Sequence, residues 1–514
     1  MNAKLCATIT GRDTEELRAH RDAAFGAEMV ELRLDYAQEI DIAGVLADRR
    51  VPVIVTCRPT WGGGRFSGSE EERHTLLTRA LELGAEFVDV EWSGRSADLD
   101  PFIEDFGGGR LVLSVHDFEG MPADLVAQYR AMRSTGAAVV KVAVRVTCLS
   151  DLVRLRDVAA EDGDSTGRDS TERKVIIGMG PAGLPSRLIP DRFGSCWTYA
   201  GDSVAPGQVG LARMRDEYRV GRVSAAAELF GIVGAPLEHS LSPAMHNAGF
   251  QETNRDAVYL PLEATDVDDL FRFAAAFDLR GASVTAPFKS DVMTRVTTTD
   301  DLSRRVGATN TLRATPDGWE GINTDVPGFL APLQGHLQSG ARAAVLGAGG
   351  AARGVAVALA DEGATVTIHA RKPERAQTVA SLVDGATGPV PPPVGSWDIL
   401  VNTTPVGTFP RTTDSPLRVT DFGAGIVYDL VYNPRVTRLM QDAADAGCRT
   451  IGGLDMLVVQ AERQFAWWTG APPPEGVFLR AAEQALHRQE SASEELSRSR
   501  RGEEAPPTGG NSSP

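Results

Sequence analysis

The sequence predicts an α/β protein in which a closed (β/α)8 barrel precedes a second αβ region ending in a strand, a tight turn, a helix and another strand. Three observations carry this. From residue 5 to about 201, eight short apolar runs alternate with polar, helix-compatible stretches, the pattern that eight parallel strands with crossover helices require. At 219–227 the join RVGRVSAAA leads into a new apolar run, LFGIVG. From 341 to 372, a β-like run, glycines, an apolar-periodic stretch and a second β-like run follow in order. A chain of 514 residues holds two or three domains at the usual roughly 100–200 residues each.

The eight runs are LCATI, MVELRLD, VPVIVTCR, FVDVEW, RLVLSVHDF, VVKVAV, KVIIGM and CWTYAG. The acidic insert EDGDSTGRDSTER (161–173) falls before the seventh, on the face opposite the strand ends, and is expected to take no part in chemistry. The expected domains are a barrel at 1–222, an αβ lobe at 228–330, a dinucleotide-type lobe at 331–452 and returning helices at 453–487. Residues 488–514 lack apolar periodicity and read as a disordered tail.

A net charge of −17 argues against a nucleic-acid or anionic-membrane partner while leaving room for local basic pockets around small anions. No apolar run reaches 18 residues, and the N-terminal MNAKLCATIT lacks the pattern of a signal peptide. A cytoplasmic location is expected. Five scattered cysteines without CxxC spacing point to neither a disulfide framework nor a metal centre.

Strand ends at the C-terminal face are where such barrels place chemistry. Lys141 interrupts AAVVKVAVR, and an ammonium inside so apolar a strand needs compensation. Residues two apart share a face, so Glu31 and Arg33 point together, as do Asp89 with Glu91 and Ser114 with His116. An interior holding Glu31, Arg33, Glu91, His116 and Lys141, with Arg58 at the end of strand three, is the expectation. A lysine partly desolvated and crowded by arginines becomes a nucleophile toward a ketone, and a nearby histidine serves as acid and base. Singly, each residue has a bland reading: an ion-paired lysine, a hydrogen-bonded core histidine, a structural Glu–Arg pair.

The stretches ELRLD, TCRPTWGGGRFSG, FVDVEW, LSVHDF, VKVAV, SRL and APGQ resemble type I 3-dehydroquinate dehydratase across residues 4–211. The resemblance implies that Lys141 forms an imine, His116 is the general acid and base, and Glu91 supports it. It further implies that Glu31, Arg33, Arg58, Arg187 and Gln208 bind a polyhydroxy carboxylate. Val204 stands where the family often has serine before APGQ, with Ser203 one earlier.

In the second half, LGAGGAARG (346–354) follows a strand and opens a helix, which puts Gly347, Gly349 and Gly350 where backbone approaches a pyrophosphate. After the second strand comes HARK rather than an acidic residue, and Arg371 with Lys372 suits the 2′-phosphate of NADP. EHSLSPAMHN, GASVTAPFK, GATNTL, GINTDVPGF, NTTPVG, YDLVYNPRVTRL and GGLDMLVVQAERQF resemble shikimate dehydrogenase over roughly 229–485. The resemblance implies two lobes, the second a Rossmann-type NADP domain, with Lys289 and Asp325 catalytic. By the same resemblance Ser240, Ser242, Thr285, Asn310 and Gln460 would complete the substrate pocket, and Gly347, Ala348, Gly349, Gly350, Ala351, Arg371, Lys372, Asn402 and Thr403 would hold the cofactor. Ser283 and Ala370 each replace an asparagine common in the family.

The joint expectation is a bifunctional enzyme without a metal, acting on 3-dehydroquinate through a lysine imine and then on 3-dehydroshikimate with NADPH. A ligand-sensing module would lack some of Lys141, His116, Lys289 and Asp325, and all four are present. A quinate-oxidising NAD enzyme is opposed by HARK and by serine at both 240 and 242.

Overall fold

The computed structural model describes residues 2–95, 99, 102, 103, 106–160, 173–201 and 207–503. The insert at 161–172 and the Ser203–Val204 departure lie outside the described residues. The chain divides into two compact units, 1–237 with 256–282, and 238–255 with 283–514.

All eight sequence-predicted runs of the first unit are strands: β1 (Lys4–Ile9), β2 (Met29–Arg33), β3 (Val53–Thr56), β4 (Phe87–Glu91), β5 (Leu111–Asp117), β6 (Val139–Arg145), β7 (Arg173–Met179) and β8 (Trp197–Ala200). They form one parallel sheet in the order β7-β6-β5-β4-β3-β2-β1-β8. A parallel bridge between Lys174 and Ser195, with Cys196 N–H donating to Lys174 O at 2.8 Å, brings the two ends together as a barrel. Local signals start the intervening helices. Asp13 accepts from the Glu16 amide ahead of helix Thr14–Ala23, and Ser69 with Glu72 makes a capping box for Glu70–Glu82.

The interior is layered along the strands. Cys6, Met29, Ile54, Val112, Val139, Val175 and Trp197 form an apolar floor. Two residues further along each strand the pleat returns to the same face, and there stand Thr8, Glu31, Thr56, Ser114 and Lys141, all buried. The barrel is thus apolar at the base and polar toward the strand C-termini.

Beyond the join come β9 (Glu228–Val233) and β10 (Ala257–Leu262), paired in parallel, then β11 (Leu279–Val284), β12 (Thr298–Thr299), and the antiparallel hairpin β13 (Thr311–Thr315) with β14 (Gly318–Ile322). Their sheet runs β10-β9-β11-β13-β14-β12. The last six strands are β15 (Arg342–Leu346), β16 (Thr365–His369), β17 (Ala386–Gly388), β18 (Ile399–Asn402), β19 (Ile426–Asp429) and β20 (Arg449–Gly452). They form a parallel sheet, β17-β16-β15-β18-β19-β20, the doubly wound order 3-2-1-4-5-6 of a Rossmann-type domain.

One difference concerns the C-terminus. Helix Val477–Glu503 continues well past 488, where irregular chain is the sequence expectation. The stretch lacks apolar periodicity, yet it is rich in Ala, Glu, Leu, Gln and Arg and has no proline, and its first glycine is Gly502. Strong helix formers sustain it.

Two candidate active sites

In the barrel, Lys141, Glu31, Arg33, Arg58, His116, Arg187 and Gln208 all line one cavity, joined by Phe118 and Tyr199. Lys141 is only 4 % exposed. Three arginines, Arg33, Arg58 and Arg187, line its cavity, but its closest partners are carboxylates, Asp89 at 2.9 Å and Glu31 at 3.5 Å, and its Nζ sits 4.1 Å above the Tyr199 ring. Arg58 shares both carboxylates, at 3.4 Å from Asp89 and 3.8 Å from Glu31. Paired charge is how a buried cation is tolerated.

His116 Nδ1 lies 3.0 Å from Arg58 Nη1 and 3.1 Å from Glu91, which itself forms a close ion pair with Arg58. Burial, with the Arg58 and Lys141 charges added, holds the imidazole well below its ordinary value of 6.5, so at neutral pH it is uncharged and able to take a proton. Glu31 accepts from Thr56 Oγ1 at 2.9 Å and Thr8 Oγ1 at 3.2 Å, and Gln208 reaches the same Thr8 hydroxyl at 3.4 Å. Arg33 is gripped by both oxygens of Asp35, at 2.9 and 2.8 Å. Burial pushes Arg187 down to about 10, and the cavity it faces is suited to an anionic group.

Asp35, Asp89, Ser114 and Tyr199 have no role in the sequence reading. For Asp89 and Ser114 the signal existed, since strand alternation puts them on the inner face with Glu91 and His116; nothing in an isolated strand says what stands opposite.

In the second unit Lys289 Nζ is 2.6 Å from Asp325 Oδ2. Asn310 Nδ2 donates to Asp325 Oδ1 at 2.8 Å, to Thr324 Oγ1 at 2.9 Å and to Gln460 Oε1 at 3.4 Å. Lys289, Asp325, Asn310 and Gln460 are therefore one connected group. Ser240 and Ser242 stand at the start of helix Ser242–Glu252, with the Ser242 amide donating to Ser240 Oγ at 3.3 Å, and Thr285 lies just past β11. These three are outside that group. Ser283, the departure from the family pattern, is buried, and its hydroxyl donates to Gln464 Oε1 at 2.7 Å.

A dinucleotide fits the turn after β15. Gly347 has φ +111, and a Cβ there would stand 2.5 Å from Thr403 Oγ1, so glycine is required. At Gly349 and Gly350 a Cβ would meet nothing within 4 Å, leaving open space at the N-terminus of helix Gly350–Asp361, whose N-cap Gly349 offers no side-chain acceptor. Free amides facing open space are what a phosphate needs. Ala348 and Ala351 keep the turn small, and Arg371 and Lys372 are exposed just past β16. Asn402 is fully buried; its side chain donates to Asp429 Oδ1 at 2.9 Å and accepts from the Thr404 amide at 3.0 Å, so it braces the loop from below. Thr403 Oγ1 is likewise tied to Leu346 O at 2.7 Å.

Among the described residues no group of three or more His, Cys, Asp or Glu could hold a metal ion, and no helix is long and apolar enough to cross a membrane.

Family comparisons agree with this geometry. Residues 5–224 match the model for type I 3-dehydroquinase, 232–312 the shikimate dehydrogenase substrate binding domain, and 453–483 the shikimate 5′-dehydrogenase C-terminal domain. The chloroplastic bifunctional 3-dehydroquinate dehydratase/shikimate dehydrogenase of Arabidopsis thaliana is 30% identical over 92% of this chain and 83% of its own length. The shikimate dehydrogenase (NADP(+)) of Moorella thermoacetica is 39% identical over 52% of this chain and 96% of its own. That of Thermosynechococcus vestitus is 38% identical over 52% and 98%. Both halves, in this order and on one chain, place the protein in the family of bifunctional 3-dehydroquinate dehydratases/shikimate dehydrogenases.

Proposed function

We infer that the chain dehydrates 3-dehydroquinate to 3-dehydroshikimate in the barrel and reduces 3-dehydroshikimate to shikimate in the second unit. The observation that carries the first step is the meeting of Lys141 and His116 at one buried cavity that is also lined by Arg33, Arg58 and Arg187. The second rests on the 2.6 Å Lys289–Asp325 pair together with the open glycine turn after β15.

In the barrel, the Lys141 amine attacks the ketone carbon and the carbonyl oxygen leaves as water, giving an iminium. The iminium acidifies the adjacent C–H. His116, uncharged through burial and the Arg58 and Lys141 charges, removes that proton and returns it to the departing hydroxyl, which leaves as a second water. Hydrolysis of the imine frees the conjugated product and regenerates the amine. Glu91 orients the imidazole, and Glu31, Arg33, Arg58, Arg187 and Gln208 bind the hydroxyls and carboxylate.

In the second unit, Gly347, Gly349, Gly350 and Arg371 would hold NADPH, which when bound would supply a hydride. Lys289 delivers a proton to the ketone oxygen. Asp325 holds Lys289 and the substrate hydroxyl in place, itself fixed by Asn310. Small molecules are the partners in this reading, and neither nucleic acid nor membrane is involved. A cytoplasmic location is supported by five free cysteines.

Purified protein given 3-dehydroquinate alone is expected to develop the ultraviolet absorbance of a conjugated ketone, and then to consume NADPH when it is added. NADPH consumption on supplied 3-dehydroshikimate, without the first signal, would mean that the barrel has no dehydratase activity.

A further inference from the structure

Asp89 holds a place in the barrel that the reaction just described does not use. Its side chain is 0 % exposed, and it is absent from the residues lining the cavity. It therefore lies behind Lys141, where an incoming substrate cannot displace it. One of its oxygens is 2.9 Å from Lys141 Nζ, and the other accepts from Ser114 Oγ at 2.6 Å. That hydroxyl also stands 3.1 Å from Glu91 Oε2, the carboxylate beside His116. Ser114 thus ties the acid behind the lysine to the acid behind the histidine.

We propose that Asp89 is the counter-ion that holds the positive charge on the Lys141 nitrogen through imine formation, and that Ser114 sets its position. The inference rests on the imine reading above. Charge conservation is the core of it. An ammonium and a ketone become an iminium and water, so the nitrogen carries +1 before and after, with a neutral amine only in between. In a site this dry, a charge present at both ends of a step needs a fixed anion. Glu31 is less suited: it is further from Nζ, at 3.5 Å, and it lines the cavity, where substrate hydroxyls engage it.

The other charged or titratable groups around the lysine are Cys6 on β1, Glu31 and Arg33 on β2, Arg58 after β3, His116 on β5, Arg187 after β7 and Tyr199 on β8. Of these, Tyr199 presents its ring face to Nζ at 4.1 Å and adds a second, uncharged stabiliser of the cation. Burial alone would raise the Asp89 carboxyl, but Lys141 and Arg58 outweigh it and hold it below the usual carboxylate range. The anion persists throughout the working range.

Both Asp89 and Ser114 are positioning residues, and the test must separate that from a structural role. Asp89→Asn in the full chain is expected to lower dehydratase kcat by about 10²–10³-fold. It should also move the alkaline limb of the kcat/KM pH profile toward acid by about one to three pH units. NADPH-dependent reduction of 3-dehydroshikimate should be unchanged, and a wild-type thermal unfolding curve verifies that the barrel itself is folded. Ser114→Ala should shift the profile in the same direction by less, and it carries the test alone if Asp89→Asn misfolds. A wild-type profile in the folded variants, with only kcat or stability lowered, overturns the proposal. Borohydride with 3-dehydroquinate on the wild-type protein guards the underlying reading. Failure to trap an adduct on Lys141 there would reject the imine itself, whereas trapping in wild type with unmoved variant profiles rejects only the role of Asp89.

Discussion

Asp269 and Ser150 are joined twice although 119 residues separate them: the Asp269 carboxylate accepts from the Ser150 amide at 2.8 Å and from its hydroxyl at 2.5 Å. The other oxygen takes the Leu149 amide at 2.9 Å. Leu149 and Ser150 open helix Leu149–Ala160, which follows the strand bearing Lys141, while Asp269 belongs to helix Val267–Phe277 beyond the barrel. At the far end Arg156 donates to Ala276 O, and Arg192 to Phe277 O at 3.3 Å. Each helix thus supplies the charge that the other's terminus favours.

The residue is fully buried, so Asp269→Ala removes a charged cap and leaves the helix amides without it. A loss of about 1–3 kcal/mol is expected. Thermal unfolding should shift downward by several degrees, with both activities at 20 °C within about twofold of wild type, because no atom of either site is touched. An unchanged melting curve would mean that the cap adds nothing to stability.

The two halves are chemically independent in this reading. Lys141→Ala should abolish dehydration and spare reduction. Lys289→Ala should lower reduction by about 10²–10⁴-fold, the usual worth of a positioned proton donor, and spare dehydration. Separate assays on 3-dehydroquinate and 3-dehydroshikimate check this, and loss of both activities in one folded variant would refute two separate sites.

What was legible in the sequence follows from the range of the forces involved. The eight barrel strands were visible because period-two alternation and β-branched residues are local. Lys141, His116, Glu91 and Glu31 stood out as costly residues in apolar runs. Asp89 did not, since an aspartate on a strand is unremarkable until its cation is seen, and that cation is 52 residues away; Asp35, in the turn just past β2, gave no signal either. For Asn402 the converse holds: its motif is local, but the burial of its side chain against Asp429 comes from pairing of β18 with β19. The helix beyond 488 carries no apolar periodicity to mark it, and only intrinsic propensity sustains it.

His246 makes acid stability a measurable quantity. It is fully buried among Phe465, Trp468 and Phe478, with ring centroids 5.1–6.4 Å away. Burial pushes its imidazole down to about 3 from an ordinary 6.5, against a smaller opposing hydrogen bond to Gln464. The unfolded chain therefore binds a proton below about 6.5 that the folded chain refuses until about 3. Its share of stability is complete above that window and falls as pH drops through it. For His246→Phe, the drop in unfolding free energy between pH 7 and pH 5 should be smaller than in wild type by about 2 kcal/mol. Urea titrations at the two pH values check it, and equal slopes would mean that His246 takes up its proton in the folded state.

In the proposed reading, cofactor choice rests on two exposed cations. Arg371 and Lys372 follow β16 where an acidic residue would bind an unphosphorylated ribose, and both are exposed and able to swing onto a 2′-phosphate. Ala370, in place of the asparagine usual in the family, leaves that reach intact. Arg371→Ala should raise KM for NADPH by about 10–100-fold, the worth of one charge-assisted phosphate contact, and leave KM for NADH nearly unchanged. The kcat with saturating NADPH should stay close to wild type, because the lost contact is made equally in the ground and transition states. Equal losses with NADPH and NADH would mean that Arg371 supports the fold of the turn instead of reading the phosphate. In that case Lys372→Ala, which leaves the guanidinium in place, would be expected to carry the discrimination alone.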